Sequence, residues 1–351
     1  MEAMKFVGEV ESGKRPMSHL KEAMTTSDFP ILFADVLDRQ LLGYFSETKP
    51  TWQAYCRRST VPDFRSVKRF ALDGGEAVLP EVKERSEYKE VPLSDSVDTF
   101  SVKKFGRRID LSWEALVNDD LDAFRRNPER LARAARRSEA KFATELFVDS
   151  KGPHASLYTA GAANIVKDGA GKQPVLTIAG LQLAMLALAE MKDKDGEPIV
   201  VDAITLVVPP ALEVTANNIL RAQTIDINVE GGTEKQRIRA ENWMKNRINL
   251  QVEPYIPVVA SKEHGSTSWF LFADPGVGRP ALELGFLRGY EVPSLYEKAP
   301  DARRIGGGGG EPNESFDDDS VAWRIRHVLG GTRLVETGGQ KATVASNGSG
   351  E

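Results

Sequence analysis

The chain predicts an α+β fold, on three observations. One apolar-striped helix pattern, residues about 120–149, is longer than most globular domains use. A separate stretch, 176–283, alternates helix-like and strand-like runs, as a mixed α/β domain does. Strand-like runs then close the chain, and a polar strand-rich excursion precedes the long helix. The 351 residues are enough for two or three domains.

Residues 1–26 are polar and weakly patterned, which predicts a flexible arm. Ser27 and Asp28 then stand before a helical run with Pro30 in its first turn. Ile31, Leu32, Val36, Leu37, Leu41 and Leu42 recur at near-helical spacing, so this helix docks one face on something. Residues 63–72 read as a strand, and Asp73-Gly74-Gly75 as a turn. Over 63–111 only scattered apolar residues, among them Tyr88, Val91, Leu93, Phe100 and Val102, sit among many charges. That content cannot fill a core. The segment predicts a long two-stranded excursion, polar on both faces, that leaves the body of the protein. An isolated hairpin is marginal in water, so a neighbouring subunit has to complete it.

The long helix starts among Asp119, Asp120 and Asp122, which suit the positive end of the helix dipole. Leu121, Phe124, Leu131, Ala135, Phe142 and Leu146 form its apolar stripe. Arg125, Arg126, Arg130, Arg133, Arg136 and Arg137 crowd the other faces, with Glu129 and Glu139 between them. Pro128 either kinks the helix or marks the start of its main part. At 1.5 Å per residue, some 30 residues make a rod of roughly 45 Å.

The Gly/Ala-rich residues 151–175 predict a crossing between domains. A helix from Thr177 closed by Gly196, a buried strand over 203–210, a helix over 211–222, and strands over 246–256 and 268–275 follow. Residues 281–298 are strand-like, and 306–310 are five consecutive glycines, read as a loop tip. The last strand puts Val321, Trp323, Ile325 and His327 on one face and Arg324 and Arg326 on the other. The residues from Gln340 onward are small and polar, and the expectation is disorder.

Composition excludes several classes. The net charge of −5 argues against a protein that coats nucleic acid. Cys56 is the single cysteine, so no internal disulfide can form, and it reads as a small buried residue. No signal-peptide core and no uninterrupted apolar run of ~18–20 residues is present, which reads as a cytoplasmic product without a membrane span. Asn313 and Asn347 match the glycosylation pattern without meaning in that setting.

Chemistry-bearing motifs are sparse. Ser138 and Lys141 match S-x-x-K but sit on an arginine-rich helix without the companions of acyl-transfer enzymes. Ser18 and Lys21 repeat the spacing in the arm. The four histidines, His19, His154, His264 and His327, are far apart, and no zinc-ligand spacing occurs. The glycine run lacks a following helix, so it is no dinucleotide loop. Asp317, Asp318 and Asp319 read as an acidic turn before they read as a cation site. No cofactor is expected. The helix arginines read as partners for carboxylates within and between subunits.

The run Leu111, Ser112, Glu114, Leu116, Asn118, Asp119, Asp120, Leu121, Ala123 and Phe124, followed by the long basic helix, resembles the central segment of tailed-bacteriophage major capsid proteins, in the branch of Mu-like major head subunits. Residues 281–298 and 321–331 resemble the two closing strands of such proteins. The resemblance covers roughly residues 25–335, and it implies the HK-97-like capsid fold. Its parts would map as an N-terminal arm (1–30), an extended E-loop hairpin (67–104), a P-domain with a long spine helix and long strands (31–66, 105–170 and 284–335), a mixed α/β A-domain (171–283), and a C-terminal tail (336–351). The glycine run departs from the family as an insertion. The arm is too short for an internal scaffolding domain, and no fused protease segment precedes it.

That family implies a coat protein that assembles with itself as hexamers and pentamers of an icosahedral head shell around packaged DNA. Portal, head-completion or decoration proteins, and a scaffold or maturation protease, are the further partners it implies. The setting is the virion, after assembly in the bacterial host cytoplasm. The inter-subunit residues expected are Arg125, Arg126, Arg130, Arg133 and Arg137 on the helix, and Tyr88, Glu90 and Asp95 on the loop. Two alternatives stand beside this reading: a nanocompartment shell of the same fold, and a cytoplasmic α/β enzyme built on 171–283.

Overall fold

The computed structural model describes residues 39–73, 94–112, 127–192, 196–199, 201, 203–229, 236–276, 280–298, 320–335 and 342–349. In chain order these form helix α1 (39–47), strands β1 (Arg57–Val61), β2 (Val67–Asp73), β3 (Ser94–Phe100) and β4 (Val102–Ser112), and helix α2 (Asn127–Phe147). Next come β5 (Val148–Asp149), β6 (Gly152–Pro153), helix α3 (Ile178–Ala189), β7 (Ile204–Val208) and helix α4 (Glu213–Arg221). The remaining strands are β8 (Thr224–Val229), β9 (Gln236–Glu241), β10 (Ile248–Val252), β11 (Trp269–Ala273), β12 (Leu282–Leu287), β13 (Ser294–Glu297), β14 (Ser320–Arg333) and β15 (Thr343–Ser346). The class is α+β, as the sequence predicts.

The chain divides into two compact units. The first comprises the described residues of Met1–Lys49, Lys103–Ser138 and Leu287–Leu329. Its framework is β14, which pairs with β4 and, antiparallel, with β13 in the register Ser294↔Arg326 to Glu297↔Trp323. The predicted alternation holds over 323–327, where Trp323, Ile325 and His327 are buried, while Arg324 is exposed and Arg326 half-buried; the side chain of Val321 lies outside the described ones. Leu41 and Phe45 of α1 pack with Leu131, Ala132 and Ala135 of α2 against Ile325. That packing accounts for Leu41 of the first expected stripe and for Leu131 and Ala135 of the second; Ile31, Leu32, Val36, Leu37, Leu121 and Phe124 lie outside the described residues. Gly106 in β4 is required by close approach, since a Cβ there would lie 2.6 Å from the Ile325 carbonyl oxygen.

The second unit comprises Pro50–Val102, Glu139–Phe286 and Gly330–Glu351. At its centre is a four-stranded sheet of order β10-β7-β11-β15. All five residues of β7 are buried, as a strand covered on both faces must be. It runs parallel to β10 (Leu250↔Leu206) and antiparallel to β11 (Leu271↔Leu206). One face meets α3 and α4 through Leu181, Leu188, Ile219, Leu206, Leu271 and Val344. On β11 the alternate residues Phe270 and Phe272 join Tyr55, Phe147 and Tyr158 in an aromatic layer, with ring centroids 4.8–5.8 Å apart.

Several expectations are corrected here. Residues 342–346 are not a disordered tail. They are buried, and β15 pairs with β11 in the register Val344↔Leu271. Tyr158 and Thr343 hydroxyls meet at 2.9 Å, Thr343 Oγ1 donates to the Leu271 carbonyl (3.0 Å), and Val166 N donates to the Ala345 carbonyl (2.9 Å). The run Ala-Thr-Val-Ala is short, but β-branched residues fit a pleated, covered edge. Helix α3 starts on Thr177, whose side chain accepts from Gly180 N, and stops at Ala189, well before Gly196. The single strand-like run at 281–298 is two strands, β12 and β13, parted by a turn with Gly289 at φ 80°. The antiparallel hairpin β8–β9 was not anticipated, although Thr-Ile-Asp-Ile-Asn-Val alternates clearly. Neither was β1. Residues 120–126 of the expected long helix lie outside the described residues. Helix α2 gives way to β5 at Val148, and Pro128 is its second residue.

Candidate interaction surfaces

The predicted excursion is a two-stranded antiparallel sheet, β2–β3, in the register Val67↔Phe100 to Asp73↔Ser94. Its two faces differ, so the expectation of a ribbon polar on both sides and clear of the body is corrected for the described strands; residues 74–93 of the excursion lie outside the described residues. On one face Ser96, Asp98 and Phe100 are buried in their own unit. Arg69 on that face sends Nε and Nη2 to the same oxygen of the buried Glu283, at 2.7 and 2.6 Å. Its guanidinium also lies 5.5 Å from the Phe100 ring centroid. Phe100 seats over Gly285, where a Cβ would come within 2.5 Å of the ring. The opposite face carries Lys68 and Phe70, across from Thr99 and Val97, and Phe70 is 66% exposed. Phe70 is thus a large aromatic held exposed on a ribbon whose other face is pinned. Asp95 belongs to β3, opposite Leu72. Tyr88 and Glu90 lie outside the described residues.

On α2, Arg130, Arg133 and Arg137 are exposed and, spaced three and seven apart, share one helix face. Arg133 is ion-paired to Glu129 one turn earlier. Arg125 and Arg126 lie outside the described residues. Arg136 behaves differently. Its guanidinium stacks 3.5 Å from the Phe45 ring centroid, and its Nε and Nη2 both donate to the Phe45 carbonyl, at 3.0 and 2.7 Å. Position 136 is about 100° round the helix from 137, and that rotation turns it from solvent to α1.

The first unit also carries a cleft of about 340 Å³ lined by Arg108, Tyr296, Lys298, Ala322, Trp323 and Arg324. Arg324 and Arg326 lie 5.0 and 4.6 Å from the Tyr296 ring centroid, and Arg326 lies 5.0 Å from that of Tyr290. Arg326 also donates to the Tyr296 hydroxyl, and Arg108 pairs with Asp110. Sequence alternation reveals the two outward arginines of β14. The cleft itself was missed, because its residues come from three separate strands.

Buried polar groups in the second unit are structural in their surroundings. Glu253 accepts from Thr51 Oγ1 (2.6 Å), Tyr55 OH (3.1 Å) and Tyr255 N (3.3 Å). Burial holds its carboxyl above the ordinary range, and burial beside Glu253 pushes the Tyr55 and Cys56 protons to higher pKa. Arg333 at the end of β14 donates from Nε to the Leu146 carbonyl (2.5 Å), from Nη2 to the Glu145 carbonyl (3.1 Å), and lies 2.7 Å from His154 Nε2. It thereby caps the C-terminal turn of α2, where free carbonyls attract a cation. Burial and the Arg333 charge lower the His154 pKa.

The S-x-x-K match resolves into helix-surface contacts: Ser138 Oγ donates to the Ala134 carbonyl (2.9 Å), and Lys141 approaches Glu145 at 3.7 Å. Among the described residues no group of three or more His, Cys, Asp or Glu is placed to hold a metal ion. Among them too, no helix is long and apolar enough to cross a membrane.

Comparison with known proteins adds the following. The model of a family described as phage capsid protein matches residues 96–342. No curated protein matches the chain. Among solved structures, one titled Microbacterium phage Oxtober96 is similar at 12% identity and a TM-score of 0.49, over 85% of this chain and 91% of that one. The capsid of Ralstonia phage GP4 gives 12% identity and a TM-score of 0.48, over 80% and 83%. A virus-like particle from Pyrococcus furiosus gives 12% identity and a TM-score of 0.41, over 90% and 99%.

Proposed function

The chain belongs to the phage capsid protein family, and on that premise we propose how this subunit builds its shell. It is a component of the virion and does no chemistry of its own. Copies associate as hexamers and pentamers of an icosahedral head around packaged DNA, after synthesis in the bacterial cytoplasm. The mapping of parts is E-loop 67–104, P-domain 31–66, 105–170 and 284–335, and A-domain 171–283 joined by β15. Portal, head-completion and decoration proteins, with a scaffold or protease, complete the list of partners. The Mu-like branch rests on the residue run at 111–124 alone.

The observation that carries this reading is the asymmetry of the β2–β3 ribbon. Its base is locked to its own subunit by Arg69, Glu283 and Phe100, while Phe70 faces outward. A monomer gains nothing from presenting that ring to water. A neighbour that covers it gains apolar burial, and a closed shell repeats the gain at every copy. The residues Arg125, Arg126, Arg130, Arg133 and Arg137, with Tyr88, Glu90 and Asp95, act in the same contacts, where charge pairs set geometry more than affinity.

The test is deletion of residues 72–97. The variant is expected to remain a folded, soluble subunit by circular dichroism and to give no particles in negative-stain images, where the parent gives shells. Intact shells from the deletion would refute the assignment of the ribbon.

A further inference from the structure

Within the second unit, the C-terminal end of α2 is closed by two residues that the shell reading leaves without a role. The carbonyl of Phe147, the last residue of the helix, accepts from the His154 N–H (2.9 Å). Arg333 takes the Leu146 and Glu145 carbonyls, at 2.5 and 3.1 Å. The His154 carbonyl accepts in turn from Leu157 N (3.0 Å) and Tyr158 N (2.9 Å), so its backbone is fixed on both sides and only the ring is free to turn. That ring faces a donor at each nitrogen. The Ser156 N–H donates to Nδ1 (3.1 Å), and Arg333 Nη2 lies 2.7 Å from Nε2. A backbone amide and a guanidinium can only donate. A neutral imidazole offers these two donors one lone pair, and a charged imidazole offers none. Protonation therefore leaves both donors unmet and sets a second cation against the guanidinium.

We propose that His154 and Arg333 form an acid-released latch on the end of α2: protonation of the ring breaks its contact with Arg333 and loosens the guanidinium from the Leu146 and Glu145 carbonyls. The helix end is then freed from the end of β14, which carries Arg333. The ring is half-buried, so turning it brings the charged form to water. The charged and titratable groups around it are few. Asp149 of β5 favours the charged ring and Arg333 opposes it. The Asp149 carboxylate is itself held by the Lys151 and Ala155 N–H groups, at 2.7 and 3.0 Å. The Glu145 side chain on α2 is paired with Lys141 at 3.7 Å, and His264 packs beside Gly152. Burial, with the Arg333 charge second, keeps the ring's pKa below the ordinary imidazole value. The latch is therefore whole above that ordinary value and is lost as pH falls through the lower, folded one. It belongs to the single subunit and does not depend on the shell.

The test is an NMR titration of the unassembled full chain, labelled at arginine and histidine. Two signals are followed from neutral to acid pH, the His154 ring carbons and the Arg333 Nε–H. The ring is expected to titrate below the ordinary imidazole value. Through that same midpoint, solvent exchange of the Arg333 Nε–H, corrected for its intrinsic pH dependence, should quicken about tenfold, the worth of one charge-assisted bond. His154→Gln keeps an acceptor for Arg333 and removes the titration, so in that variant the Arg333 signal should hold across the range. An Arg333 Nε–H that stays protected while His154 titrates overturns the proposal. So does the same acid loss in His154→Gln, which would assign it to a carboxylate such as Asp149. Should that variant fail to fold, the two midpoints in the parent decide alone: coincidence supports the latch, and separation by more than about one pH unit, tenfold in proton activity, overturns it.

Discussion

Arg333 is the residue on which the end of α2 depends. It satisfies two carbonyls that the helix leaves open and holds His154 beside it. Arg333→Ala is expected to destabilise the subunit by about 1–3 kcal/mol in chemical denaturation, the worth of charge-assisted bonds to a helix end. It should also let the His154 pKa rise toward the ordinary imidazole value, which an NMR titration reads directly. Glu253 gives a second residue-scale expectation. Its folded pKa is raised, so the folded state holds the proton more tightly than the unfolded state. The resulting stability is present below the ordinary carboxylate pKa and is lost as pH rises through the folded value. Melting temperature of the unassembled subunit should therefore fall from acid toward neutral pH relative to Glu253→Gln. Parallel pH curves for the two proteins would contradict the assignment. Neither role was legible in the sequence, because each joins groups far apart in the chain, such as Thr51 with Glu253 and Leu146 with Arg333.

At the scale of elements, legibility followed pattern strength. β7 and β11 are runs of consecutive apolar residues, and α2 carries a periodic stripe, so local patterning alone foretold them. Strand β15 was misread because four residues between glycines and a polar end carry too little pattern. Its burial is decided by the exposed edge of β11, which local sequence does not reveal. The same holds for Arg136, whose inward turn depends on Phe45. If β15 is a working part of the sheet, Val344→Ala should cost about 2–3 kcal/mol, the transfer of two methyl groups and the cavity they leave. Truncation after residue 340 should abolish cooperative unfolding of the second unit. A truncated chain that melts like the parent would show the strand to be dispensable. The glycine pair in β14 belongs to this scale as well. A Cβ at Gly330 would lie 2.3 Å from the Ser101 carbonyl oxygen, and one at Gly331 2.5 Å from that of Glu283. Gly330→Val is expected to lower the melting temperature markedly, since backbone and not a flexible side chain stands in the way.

For the molecule as a whole, the family and the two-sided ribbon are what the proposed assembly rests on, a subunit whose surface is completed by its copies. The sequence pointed to that incompleteness through low apolar content between residues 63 and 111, but it did not reveal that one face of the ribbon is already satisfied. The difference matters, because it narrows the proposed contact to the face of Lys68 and Phe70. An electron cryomicroscopy reconstruction of the assembled particle tests the claim most directly. The account predicts density for Phe70 packed against an adjacent subunit, at van der Waals distance, in every copy of the shell. A closed shell in which that ring stays in solvent, with no neighbouring chain against the β2–β3 ribbon, would contradict it.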